Sequence, residues 1–188
     1  MPSPADKNGE GIVDDVTHLQ SYTIRAVSGT PSFVRRTNLK IDNQLGTLRV
    51  DAYKRDLLLV PVNKSLSGPT TPPNNNSINV DHYKCYKAKT TAGTPRFTVT
   101  SVTVGDQFTS PAKFFTLKKI KHLCTPVDKN GEGIKNSDVH LACYQVKVGS
   151  GQPKHVRRTG VNTNGQLGPM VLSTLQESEL CVPAVSGP

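Results

Sequence analysis

Tryptophan is absent from the chain, and five tyrosines and five phenylalanines supply all of its large aromatic surface. A single large aromatic core is therefore excluded, and with 35% hydrophobic residues the chain can build only modest cores. No run approaches the roughly 20 apolar residues of a membrane-spanning helix, so no transmembrane segment is expected. The start Met1-Pro2-Ser3-Pro4 has neither the basic nor the apolar region of a secretory signal. If the protein is exported, its signal is not part of this sequence. There is no Gly-x-Ser-x-Gly elbow, no glycine-rich phosphate loop and no Cys-x-x-Cys pair. No catalytic residue can be nominated from such a sequence, and a hydrolase with an unidentified site ranks third among the function classes.

What the chain does have is turn chemistry and β-formers. Fifteen glycines and fourteen prolines punctuate stretches rich in Val, Ile, Leu and Thr. In His18 to Val27, Tyr22, Ile24 and Ala26 alternate with Thr23 and Arg25, the period of a half-buried strand. Further strands are expected over Phe33–Ile41, Asn43–Val50 and Leu57–Val60, and only Leu172 to Glu179 has the composition of a helical turn. The expected fold is all-β, made of tandem small antiparallel modules of sandwich or barrel type.

Three stretches of the chain are alike. His18, His82 and His140 each precede a tyrosine by four residues (Tyr22, Tyr86, Tyr144) and a turn proline by thirteen (Pro31, Pro95, Pro153). A glutamine before an apolar residue follows in each (Gln44-Leu45, Gln107-Phe108, Gln166-Leu167). Self-similarity at this period predicts three internal repeats of one unit. The expected division is 1–63 for the first module, 64–79 for a Pro/Asn-rich linker, 80–127 for the second module, and 128–188 for the third. The linker is expected to set the first module apart, while the second and third pack together.

Four cysteines allow three pairings. Cys85 and Cys124 occupy in the second repeat the places of Cys143 and Cys181 in the third. In the first repeat both places have changed together, to Ser21 and Leu59. Joint replacement within one repeat predicts Cys85–Cys124 and Cys143–Cys181, each closing a loop of about 38 residues worth roughly 3–4 kcal/mol in the chain-entropy model. Zinc binding by these cysteines with His82, His122 or His140 lacks the spacing of structural zinc sites. Disulfides place the protein in an oxidising compartment, secreted or at a cell surface.

The hexapeptide Asp-Lys-Asn-Gly-Glu-Gly occurs twice, at 6–11 and 128–133. Its oxygen donors at positions 1, 3 and 5 and glycine at 6 open a calcium loop. Asp6, Asn8 and Glu10, and Asp128, Asn130 and Glu132 with Asp138 nearby, are the candidate Ca2+ ligands. Position 12, which should hold a glutamate, is Thr17 or Val139. The competing expectation is a tight Asn-Gly turn or a joint between repeats.

A formal charge of +9 favours polyanionic partners at low salt. Candidate contacts are Arg35, Arg36, Arg157, Arg158, Lys118 and Lys119, although charged residues on edge strands also serve to block aggregation. Aromatics are too few beside them to suggest stacking on single-stranded nucleic acid, and sequence-specific nucleic-acid binding is not expected.

His82-Tyr83-Lys84-Cys85-Tyr86, Leu123-Cys124-Thr125-Pro126, the hexapeptide, and His140-Leu141-x-Cys143-Tyr144 together resemble a repeat domain of unknown function found in exported proteins of bacterial and environmental genomes. The resemblance covers nearly the whole chain and implies export and a β-rich fold, but no activity. The first repeat departs from it by lacking both cysteines. The expected function is a non-catalytic surface, matrix or filament component, with self-association of chains as one expected contact. The second expectation is a binding module for an acidic polysaccharide or other polyanion.

Overall fold

Alternation in the sequence decides where strands form. Val102 and Val104 turn inward while Ser101 is exposed, and Phe115 and Leu117 turn inward while Phe114 is exposed. In the computed structural model this yields β1 (Asp6–Lys7), β2 (His18–Thr23), β3 (Arg36–Asn43), β4 (Gly46–Ser65), β5 (His82–Thr90) and β6 (Thr100–Asp106). These are followed by β7 (Thr109–Val127), β8 (His140–Val148), β9 (Val161–Gly165), β10 (Gly168–Leu172) and β11 (Glu179–Gly187). The structure describes residues 2–74 and 76–187; Met1, Asn75 and Pro188, the ends of the outer expected modules and one residue of the expected linker, lie outside them. The described residues contain no helix, so the fold is all-β. Residues 173–178, where a helical turn was conceivable, connect β10 to β11 irregularly.

All pairings are antiparallel, and they run β3–β4–β5–β7–β8–β11 and return to β3. The return is made by Val185, Ser186 and Gly187 lying against Asp42, Ile41 and Lys40. Closing a sheet in this way removes open edges. The main core fills the circuit, with Ile41, Val50, Ala88, Leu117, Leu123, Ala142, Tyr144 and Val182 drawn from all six strands. Hairpins β6–β7 and β9–β10 extend it, and Gly165 is required where β9 crosses β4: a Cβ there would lie 2.6 Å from the Val62 side chain.

The expected strands 43–50 and 57–60 are parts of the single strand β4, which has bulges between Ala52 and Lys54 and between Arg55 and Leu57. This strand also joins what the linker was expected to separate. It pairs with β5 and, at Val62 to Ser65, with β9. The first module is therefore not set apart, because its longest strand finds its hydrogen-bond partners in the other two. Asn63 and Asn164 donate from their side chains to the carbonyls of Thr71 and Thr70, at 3.0 and 2.7 Å, holding the proline-rich stretch against β4 and β9.

Cys85 is joined to Cys124 and Cys143 to Cys181, each S–S bond 2.01 Å long. Each pair lies directly across two neighbouring strands, and Ser21 and Leu59 face one another in the same way between β2 and β4. The disulfides form a second core with Leu59 and Tyr83, in which the sulfurs of Cys124 and Cys143 are 4.0 Å apart. The shared register predicts that Ser21→Cys with Leu59→Cys oxidises spontaneously to a third bridge. Bridging adds about 3 kcal/mol, and the loss of buried leucine methyls takes back about 1–2 kcal/mol. A net rise in Tm of about 2–6 °C over the unsubstituted protein is expected in calorimetry. Persistent free thiols would show that the register is wrong.

Candidate functional site

The irregularities of β4 and β7 converge. The β4–β5 ladder skips Tyr53 and Asp56, and the β7–β8 ladder skips Lys118, Lys119 and Lys121. A bulge leaves a residue out of the ladder and re-aims its side chain, and bulges gather beside functional sites. Here Tyr53, Asp56, Lys119 and Lys121 line one cleft of about 370 Å3, together with Lys87, Lys89, His122 and Glu179. The cleft lies where three distant stretches of the chain meet, since Asp56 is on β4, His122 on β7 and Glu179 on β11.

His122 organises its floor. The ring is buried, its Nε2 lying 2.9 Å from Asp56 Oδ2 and its Nδ1 2.8 Å from Glu179 Oε2. A neutral imidazole has one N–H and can donate to only one carboxylate, so this geometry suits the doubly protonated ring. Burial alone would disfavour that charge, but the hydrogen bonds and charges of Glu179 and Asp56 outweigh it and raise the His122 pKa. Lys87 Nζ adds a looser contact, 3.6 Å from Asp56 Oδ1. Among the described residues Lys89, Lys119 and Lys121 have no ion-pair partner. Four ammonium groups and the imidazolium thus face two carboxylates. The surplus is positive, and an anion entering the cleft meets it. With both nitrogens held by carboxylates, the ring is not free to take a proton from a substrate.

The hexapeptides are self-contained turns. Glu10 N–H donates to the Lys7 carbonyl and Glu132 N–H to that of Lys129, at 3.2 and 3.3 Å. The two central residues are left-handed in both copies, with φ of 58° and 79° at Asn8 and Gly9, and 60° and 81° at Asn130 and Gly131. That conformation explains the Asn-Gly choice. Asp6 accepts from Gly11 N–H and Asp128 from Gly133 N–H, while Lys7 pairs with Glu10 and Lys129 with Glu132. Asp138 accepts from the Ser137 hydroxyl. Asp6, Asn8, Glu10, Asp128, Glu132 and Asp138 are thus engaged by protein donors, and the described residues contain no group of three or more His, Cys, Asp or Glu able to hold a metal. Both loops act as joints: Asn8 exchanges two hydrogen bonds with Thr103 of β6, and Glu132 accepts from Gln166 at 2.6 Å and lies 3.9 Å from His82.

Histidines and glutamines distant in the sequence meet in the fold. Gln107 Nε2 lies 3.4 Å from His18 Nε2, and Gln166 approaches His82 through Glu132. Each of these histidines, like His140, has one buried ring nitrogen without a partner among the described residues. Burial depresses all three pKa values, that of His18 to about 4 with help from the Lys64 charge. The expected arginine contacts separate. Arg35 is paired with buried Asp51, which also accepts from Asn38 N–H and Thr91, so its role is structural. Arg36 and Arg157 are exposed, Arg158 lies 5.9 Å from the Phe108 ring centre, and none of the four arginines lines the cleft. Lys118 is exposed beside it, and of the six expected contacts only Lys119 lines it.

No protein-family model, curated protein or solved structure matches the chain. Two disulfides are present, and no helix of the described residues is long and apolar enough to cross a membrane.

Sequence reasoning missed Tyr53, Asp56, Lys87, Lys89 and Glu179, noted Lys121 only as part of a basic stretch, and weighed His122 only as a metal ligand. One signal was there to read: Lys118-Lys119-Ile120-Lys121-His122 breaks the apolar alternation that Phe115 and Leu117 begin. The two kinds of histidine predict a stability maximum. His122, raised when folded, contributes fully below the unfolded value of 6.5, and its contribution is lost as pH rises through the raised folded value. His18, depressed to about 4 from 6.5, has the opposite effect: the unfolded chain takes up its proton first, so stability falls as pH drops across that window. Urea midpoints should decline on both sides of the maximum, and His122→Asn should abolish only the alkaline decline. An alkaline limb unchanged in the variant would contradict the assignment.

Proposed function

We propose that the protein is an exported, non-catalytic surface or matrix component, built of tandem repeats, that holds acidic polymers in the lysine-walled cleft. The observation that carries this reading is the convergence of bulged residues from two long strands on one cleft with a surplus of positive charge. A chain with a formal charge of +9 draws polyanions over longer distances, and the cleft gives them a place to settle. The disulfides fit an oxidising compartment, and export agrees with the repeat family that the motifs resemble. The locked His122 favours binding over catalysis, and the paired cores suit a protein that must persist outside cells.

Retention on immobilised pectate or heparin should be strong at low salt and fall steeply as ionic strength rises. Lys119→Gln with Lys121→Gln should weaken binding about tenfold, at up to about 1 kcal/mol for each lost charge. Arg36→Gln with Arg157→Gln, outside the cleft, should change it much less. Absence of low-salt retention, or equal losses in the two double variants, would refute the site.

A further inference from the structure

The cleft holds more than an anion needs. Lys87 and Lys89 on β5 and Lys119 and Lys121 on β7 supply the cations. Asp56 and Glu179 supply acceptors: Glu179 bonds His122 through Oε2, and its Oε1 has no partner among the described residues. Tyr53, 43% exposed, supplies a ring surface and a phenolic hydroxyl. A phosphate polymer offers the cleft only acceptors and negative charge, so it gains from the lysines but meets two carboxylates it cannot donate to. A sugar with both an acid group and free hydroxyls answers every wall. Its acid pairs with lysine, its hydroxyls donate to Glu179 and Asp56, and its C–H face covers Tyr53. A volume of about 370 Å3 suits a short segment of such a chain.

We infer that the ligand of this cleft is an acidic polysaccharide of uronate type, recognised through both its carboxylates and its hydroxyls. The inference rests on the anion-binding reading above and goes beyond it by excluding polyphosphate as the preferred ligand. His122 serves as a positioning residue, fixing both carboxylates and balancing their charge so that they accept from the sugar without repelling its acid.

Calorimetric titration of the oxidised full chain with a galacturonate oligomer and with polyphosphate of matched charge tests this directly. The oligomer should bind about tenfold more tightly than polyphosphate. Tyr53→Ala, at an exposed position, should weaken the oligomer about threefold to tenfold and leave polyphosphate unchanged. Glu179→Gln should lower the preference for the oligomer while the protein still melts cooperatively at a lower Tm. If polyphosphate binds as well as the oligomer, or Tyr53→Ala affects both equally, the sugar assignment falls and anion binding stands. If neither ligand binds at low salt, the anion-binding reading falls and the sugar assignment falls with it.

Discussion

Direct opposition of the opening and closing strands within each third of the chain is the constraint on which the rest of the structure depends. Cys85 faces Cys124, Cys143 faces Cys181, and Ser21 faces Leu59 in the same manner. Shifting any of these pairs by one residue would turn every side chain of the strand to the opposite face. Two of the three are covalent, and they pack on one another to make a core that apolar residues alone would leave small. With these registers fixed, β4 and β7 are long enough to pair with neighbours on both sides, and the circuit around the main core closes.

The cleft follows from that closure. Strands of about twenty residues cannot match several partners without absorbing mismatches, and β4 and β7 absorb theirs in bulges. The residues left out of the ladders are polar or charged, and they face one another across β5. Asp56 and Glu179 come from distant parts of the chain, and a single buried imidazole satisfies both. Buried charge of this kind is tolerable only when paired and hydrogen-bonded. It also ties three stretches of sequence at one point, so the electrostatics of the cleft and the integrity of the fold are coupled.

Much of the fold was legible in the sequence, because strand alternation and cysteine position are local or pairwise signals. The joint replacement by Ser21 and Leu59 picked out the two disulfides that the structure contains. The hexapeptide was recognisable as special, but its donors could be assigned to calcium or to a turn, and only in the fold do Asp6 and Asp128 accept from the glycine N–H groups. The Pro/Asn-rich stretch read as a spacer because composition cannot reveal that Thr70 and Thr71 are held by Asn164 and Asn63. The cleft was the least legible part. Bulges depend on which strands pair, and a histidine 66 residues from one carboxylate partner and 57 from the other has no local signature. The arginine pairs drew attention as sequence, while the lysines that share a wall are scattered along the chain.

The protonation state of His122 tests the central claim most directly, since the convergence of three chain segments on one imidazolium is what organises the floor of the cleft. Long-range nitrogen–proton correlation spectra of the oxidised protein report both ring nitrogens as a function of pH. The account predicts that His122 has both nitrogens protonated at pH 6.5 and titrates above the ordinary value of 6.5. A neutral single tautomer at that pH, or titration below it, would mean that Asp56 and Glu179 do not grip the ring together. The lysines would still outnumber the carboxylates, but the floor of the cleft would not be organised by His122 as described.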